Sequence, residues 1–286
     1  MATRDARPGD PKLMQRLARH LGLTLFALVM MYPLLWMISS SLRPQDEIFT
    51  AVGLWPDRAS LDNFVAGWRG ISGNGFGRYF LNSLTISTLS IVGNLIACSM
   101  AAFAFARLEF IGKRVYFALM LGTIMLPYHV TVIPQYILFQ QLGWVNTILP
   151  LVLPKFLATD AFFIFLMVQF IRGIPVELDQ AAIMDGATPR QIFWHLIIPL
   201  SLPALATTAI FTFSWTWNDF FAPLLYLTKP ENFTVALGLR QFLDASGTSS
   251  FGPLFAMSVL ALGPVFGFFL ATQRFLVHGI ATTGIK

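Results

Sequence analysis

An all-α membrane protein that crosses the bilayer several times is the fold class this sequence predicts, and three observations lead there. Of its 286 residues 56% are hydrophobic and 12% charged, with a mean hydropathy of +0.66, well outside the balance of a water-soluble domain. Leu21 to Leu42 contains no charged residue, and a helix of about 20 such residues spans a bilayer. Further long apolar stretches follow, separated by polar connections rich in turn residues.

Taken in order, residues 1–19 form a basic N-terminal tail with Arg4, Arg7, Lys12, Arg16 and Arg19. A cleaved signal peptide would have an apolar core of about 7–15 residues and a small-residue cleavage site. The run here is longer, so it reads as a first span over residues 20–42. Five more spans are expected at 80–106, 115–139, 147–170, 200–228 and 253–277, giving a transmembrane domain over 20–278 and a short tail at 279–286. Basic residues set the orientation. With the N-terminus inside, the inner segments carry twelve Lys and Arg, among them Arg107, Lys113, Arg114, Arg172, Arg190, Arg274 and Lys286. The outer loops carry six: Arg43, Arg58, Arg69, Arg78, Lys229 and Arg240. Both termini are therefore expected in the cytoplasm. The outer stretch from Arg43 to Arg78 reads as a small cap, and Lys229 to Gly252 as a flexible connector.

Between the fourth and fifth spans lies Ile174 to Pro203, IPVELDQAAIMDGATPRQIFWHLIIPLSLP, whose local signals predict a helical hairpin. Pro175 suits a first turn, and Glu177 and Asp179 place negative charge at the positive end of the helix dipole. Leu178, Ala181, Ala182 and Asp185 recur at spacings of three and four, so one face is small and narrow apart from a single carboxylate. Gly186 supplies a turn, Thr188 can cap the next helix with Pro189 at its first position, and Ile192, Phe193 and Leu196 give that helix an apolar side. An amphipathic hairpin lying on the membrane surface is the plainer alternative.

Charged residues within spans are costly, about 2.5–3.5 kcal/mol at the bilayer centre, and face protein or water. Lys155, Asp160 and Asp219 are such residues. Lys155 and Asp160 are separated by about 500° of helical turn, so they are not expected to pair within one helix. Asp160 falls about 20 Å into its span, near the midplane, where both a packing contact with a partner subunit and a pathway role are open. Trp215, Asn218 and Asp219 share a helical face. An aromatic ring beside amide and carboxylate is the composition of a sugar site, and Trp at a span end is equally an interfacial anchor. Gly263 and Gly267 read as a close-packing GxxxG pair.

Several function classes fall away. The chain lacks a G-x-x-x-x-G-K-[ST] phosphate loop and an H-E-x-x-H pair. Its four histidines (His20, His129, His195, His278) are scattered, and its one cysteine, Cys98, lies in an apolar run, so no cofactor, metal or catalytic residue is expected in this chain. The basic pI near 9.6 is accounted for by the inner-face bias rather than by nucleic acid.

The stretch ELDQAAIMDGA, followed by a Pro at 199, resembles the EAA loop of binding-protein-dependent ABC importer permeases, Glu-Ala-Ala-x-x-x-Gly and, after nine residues, Ile-x-Leu-Pro. Ala181, Ala182, Gly186 and Pro199 match in register, while Gln180 replaces Glu, Leu196 replaces Ile and Ile198 replaces Leu. FLNSL at 80–84, AAFAFAR at 101–107, MLPYHVTVIPQY at 125–136, WND at 217–219 and ATQRFLVHGI at 271–280 extend the likeness to the carbohydrate, maltose-type permeases of binding-protein-dependent systems. The resemblance implies a subunit of an ATP-driven importer in the bacterial inner membrane, carrying a sugar or sugar-like solute. It implies a second permease, two ATPase subunits that bind ATP and magnesium, and an extracytoplasmic solute-binding protein. Glu177, Gln180, Ala181, Ala182, Asp185 and Gly186 would couple to the ATPase, and Asp160, Trp215, Asn218 and Asp219 are the candidate pathway or inter-subunit contacts. The C-terminal tail resembles tails that contact the ATPase dimer. A secondary transporter, which would show inverted repeats, and a membrane anchor for a cytoplasmic complex are the rival readings.

Overall fold

A computed structural model of the chain describes residues 11–50, 53–70, 73, 75–243 and 249–282. The described residues are helical and contain no strand, and they divide into two compact units, 1–68 with 242–260 and 69–241 with 261–286. The ends of both expected tails, residues 1–10 and 283–286, lie outside the described residues.

In the first unit α1 (Pro11–Ser41) is uncharged through its apolar stretch and exposes Leu21, Leu25, Phe26, Leu28 and Met30 around its circumference. A helix apolar on every side suits lipid rather than water. Its C-terminal end is polar and buried. The Arg43 guanidinium is 1% exposed and donates to the Gly53 carbonyl at 2.5 Å, and Asn63 on α2 (Asp62–Arg69) donates to the carbonyls of Ser41 and Arg43 at 3.0 and 2.7 Å. Those bonds tie the stretch expected as a cap back onto the end of α1. Trp36 meets Phe255, from the start of the last described helix (Phe251–Thr282), edge to face at 5.3 Å.

The second unit is built on α3 (Phe76–Arg107), which packs against α6 (Leu149–Phe156), α7 (Ala161–Arg172) and α11 (Leu202–Asn218). Its buried stripe runs through Tyr79, Ser83, Ile86, Ser90, Asn94, Cys98 and Ala102, steps of three and four that put every one on a single face. Small side chains dominate the stripe because close backbone approach, rather than hydrophobic transfer, holds helices together in lipid. One core joins Cys98, Ala102 and Phe103 to Phe163, Ile164, Met167, Val168 and Ile171 of α7 and to Ile192, Phe193 and Ile197 beyond it. Another joins Ile86 to Phe139, Leu151, Val152, Tyr226 and Leu237.

Four described helical stretches are long and apolar enough to span, at 14–41, 76–107, 149–172 and 251–274. Two more candidates are bent. α4 (Lys113–Ile124) meets α5 (Tyr128–Gln141) at 102°, so the expected span at 115–139 is a helix broken at Pro127. Pro189–Leu200 meets α11 at 74°; Ser201 lies between them, flanked by Pro199 and Pro203, each without an N–H for the helical ladder. The total reaches six only if each bent pair is one span. Gly263 and Gly267, expected to pack closely, have no atom within 4 Å of where a Cβ would stand, so that expectation is not met within the described chain.

The close approach on α3 is sharpest at Gly93, where a Cβ would lie 2.8 Å from the Phe156 ring and 3.1 Å from the Lys155 backbone. Gly93→Val is expected to destabilise the purified protein by about 1–3 kcal/mol through overpacking, while Gly263→Ala leaves its stability unchanged. Thermal unfolding in detergent of the two variants beside the parent checks the contrast.

Candidate functional site

The hairpin uses the signals at Glu177, Asp179, Gly186, Thr188 and Pro189, whereas Pro175, expected in the first turn, lies just before the cap residue Val176 and outside the helix. α8 (Glu177–Met184) carries Glu177 and Asp179 in its first turn. It ends at Gly186, held at φ +82°, with Gly186 N–H donating to Ile183 O and Ala187 N–H to Ala182 O, both at 2.9 Å. That bond pair is the Schellman ending, which requires a left-handed residue at this point. Thr188 and Gln191 then form a reciprocal capping box over α9 (Pro189–Gln191), satisfying backbone donors that would otherwise be unpaired. The helix continues as a π segment over Ile192–Ile197 and a last α turn, α10 (Ile198–Leu200). Pro199, lacking an N–H, falls where the wider turns close.

Glu177, Gln180, Ala181, Asp185 and Gly186 are exposed, and Ala182 is half-buried against the core of the second unit. The narrow face expected from Leu178, Ala181, Ala182 and Asp185 is thus mostly free. The buried face is set by Asp179, read from the sequence only as a charge near the helix start. Asp179 is 7% exposed and its Oδ2 lies 2.5 Å from Nε of Arg107, the last residue of α3. Arg107 Nη2 also donates to the Ile174 carbonyl at 2.7 Å. One guanidinium therefore fixes both the approach to the hairpin and its first helix to the end of α3. Spacing could not have shown this, because the partners are 72 positions apart in the chain; an acidic residue beside Leu178 and Ala182 on a helix meant to face a core was the available signal.

The same end of the unit gathers basic residues. Lys113, Arg114 and Arg172 line a recess of about 510 Å³ with Glu109, and Arg172 lies over the Phe117 ring at 5.2 Å, a cation–π geometry. The Lys113 ammonium, 2.9 Å from Glu109, donates a hydrogen bond that holds this exposed carboxyl below its ordinary range.

The intramembrane charges meet at a cavity of about 750 Å³ lined by Lys155, Asp160, Trp215, Asn218, Asp219 and Tyr128, among others. Here one expectation is corrected. Lys155 Nζ lies 2.8 Å from Asp160 Oδ2 and 3.1 Å from Oδ1, so the two do pair. The separation of about 500° holds only along an unbroken helix. α6 stops at Phe156, Ala158 turns at φ +55°, and α7 begins at Ala161 with Asp160 as its cap residue. Pro154 and Thr159 make the break, with Thr159 Oγ1 donating to the Pro154 carbonyl at 2.8 Å.

Asp160 is further held by Asn94 of α3, whose Nδ2 lies 2.7 Å from Oδ2 and 3.0 Å from Thr212 Oγ1 on α11. Asn94 and Thr212 went unremarked in the sequence because they are uncharged. A buried amide in an apolar span, obliged to find partners, was their signal. Trp215 is 52% exposed and packs between Phe162, Phe163 and Phe211 at 5.2–5.7 Å. Asn218 Nδ2 donates to Ser214 O at 2.8 Å. Asp219 lies just past the end of α11, in extended backbone, and its Oδ1 accepts from Ala222 N–H at 3.2 Å. Among the described residues no three His, Cys, Asp or Glu side chains gather to hold a metal.

Fold and site together define a polytopic helical membrane protein built around a polar cavity, with an exposed hairpin rooted at one end of its central helix. Residues 93–280 match the family described as binding-protein-dependent transport system inner membrane component, and the chain belongs to that family. It is a transport permease subunit rather than an enzyme. The chain is 34% identical over 264 residues to the probable ABC transporter permease protein YurM of Bacillus subtilis, covering 92% of this chain and 86% of that protein. It is 32% identical to the arabinooligosaccharides transport system permease protein AraQ of Halalkalibacterium halodurans, covering 93% and 95%. The crystal structure of a bacterial ABC transporter involved in the import of the acidic polysaccharide alginate holds a chain of the same fold, with a TM-score of 0.81 at 21% identity over 94% of this chain and 99% of that one.

Removing either member of the Arg107–Asp179 pair leaves the other buried without its counter-charge, a loss of about 3–5 kcal/mol. Arg107→Gln and Asp179→Asn are each expected to lower the melting temperature of the purified protein. A double-mutant cycle should show that the combined variant loses less than the sum of the two. Strict additivity would mean that the pair does not act as a unit.

Proposed function

We propose that this chain carries a sugar across the membrane as one of two permeases in an ATP-driven importer, and that its hairpin at 174–199 is where the motor grips it. The observation that carries the reading is the division of α8 into two faces. Asp179 is buried and ion-paired to α3, while Glu177, Gln180, Ala181 and Asp185 stand free on the other side. A rod fixed to the spans at its root and polar at its tip is suited to pass on a push.

In this reading two ATPase subunits bind ATP and magnesium and close on the hairpins of this chain and of a second permease. The spans then tilt as near-rigid bodies, and the cavity at Lys155, Asp160 and Trp215 is exposed alternately to a docked extracytoplasmic binding protein and to the cytoplasm. Six spans with both termini inside place the hairpin where an ATPase reaches it. The clustering of Arg107, Lys113, Arg114 and Arg172 at the hairpin's end of the unit supports that side as the cytoplasmic one. A sugar is favoured because AraQ carries arabinooligosaccharides in its name and because the cavity offers an exposed indole beside amide, hydroxyl and carboxylate groups, the complement of a saccharide's C–H faces and hydroxyls. Apolar surface on α1 is left to lipid.

The test is a crosslink. With Cys98→Ala as background, a reagent that is thiol-reactive at one end and photoreactive at the other, attached to Ala181→Cys in the intact complex, should join this chain to an ATPase subunit. Adding Gly186→Val should abolish that product while membrane insertion persists, since a β-branched residue at φ +82° distorts the turn at a cost of about 1–2 kcal/mol. Recovery of the chain without an ATPase, with uptake driven by an ion gradient, would overturn the reading.

A further inference from the structure

The cavity also carries a charge. Its Lys, Arg, Asp and Glu lining consists of Lys155, Asp160 and Asp219. Lys155 and Asp160 neutralise one another at 2.8 Å. Asp219 has no ion-pair partner among the described residues; its carboxylate accepts from the backbone N–H groups of Ala222 and Phe221. A second cavity of about 580 Å³ shares Tyr128, Gln135, Thr159, Asp160 and Trp215 with the first and adds no further Lys, Arg, Asp or Glu. The two therefore form adjoining spaces at the α6–α7 break, together holding one uncompensated negative charge.

Around that charge the lining is an exposed indole, two phenols, two amides and hydroxyls. From this we infer that the face this subunit gives to the solute path is a subsite for neutral or amino-bearing saccharides, and that Asp219 acts there against anionic ones such as uronates and sugar or polyol phosphates. The inference rests on the cavity being part of the solute path, as proposed above. The Lys155–Asp160 pair offers an anion no free cation, because Lys155 could serve it only by giving up a carboxylate that Asn94 also holds in place. A unit charge about 7 Å away across water changes the local concentration of a monovalent ion about threefold, so a cation and an anion differ by roughly sevenfold.

The test measures that field without knowing the solute. In the assembled transporter, with buried Cys98 replaced by Ala, Asn218→Cys is reacted with the cationic reagent 2-(trimethylammonio)ethyl methanethiosulfonate and with the anionic 2-sulfonatoethyl methanethiosulfonate. The ratio of the two rates is divided by the same ratio for 2-mercaptoethanol in buffer. The expected result is a normalised ratio of about five or more. It should fall toward one with Asp219→Asn, which keeps the acceptor for Ala222, and rise with Lys155→Gln.

A normalised ratio of one or below would overturn the inference and leave the cavity's place on the path standing, since the thiol has been reached from water. Failure of both reagents to react would show the cavity closed to water and remove the pathway reading and this inference together. Should Asp219→Asn not assemble, the ratio in Asn218→Cys alone still decides.

Discussion

The hairpin keeps its place because one guanidinium at the end of α3 is shared between a carbonyl and a carboxylate. Arg107 bonds Ile174 O at 2.7 Å and pairs with Asp179 at 2.5 Å, and both side chains are about nine-tenths buried. α8 has only eight residues, too few to be a stable helix by itself. Its position must therefore come from what it packs against. In a buried setting an ion pair confers geometric definition more than net stability, because desolvation offsets much of the attraction. Definition is what the transmitting role proposed for the hairpin requires. The turns that close the hairpin, the Schellman ending at Gly186 and the capping box at Thr188 and Gln191, complete the same purpose by leaving few backbone groups free to rearrange.

α3 links this anchor to the cavity. Asn94 holds Asp160 and Thr212 three to four helical turns from Arg107 on the same helix, since thirteen positions at about 1.5 Å rise amount to about 20 Å. The buried stripe of small residues between them brings α6, α7 and α11 close to its backbone. Packed helices of this kind shift as bodies rather than deform. On the reading proposed above, a displacement imposed at Asp179 would be felt at Asp160 through one continuous helix, with the break between α6 and α7 as the place where the cavity wall changes shape.

Much of this was legible in the chain. Apolar runs gave the helical membrane class, and Gly186, Thr188 and Pro189 announced the turn and cap that the hairpin uses. Asp160 and the Trp215, Asn218 and Asp219 group, read as two separate features, come together at one cavity. What escaped the sequence had one of two causes. Pairings between distant positions, Arg107 with Asp179 and Asn94 with Asp160, have no local periodic signature. Breaks in regular geometry, at Ala158, Pro127 and Ser201, defeat any reckoning that assumes 100° per residue along an unbroken helix; the Lys155–Asp160 pair was misjudged for that reason.

The claim that the hairpin moves as one body with α3 is open to a direct measurement. Spin labels at Met184, 86% exposed at the end of α8, and at Met100, 54% exposed on α3, would report the distance distribution between tip and helix in the assembled complex with Cys98 replaced. A single narrow distribution is predicted, one that broadens by several ångströms when Asp179→Asn removes the anchor. A distribution equally narrow without the anchor, or already broad with it, would contradict the account.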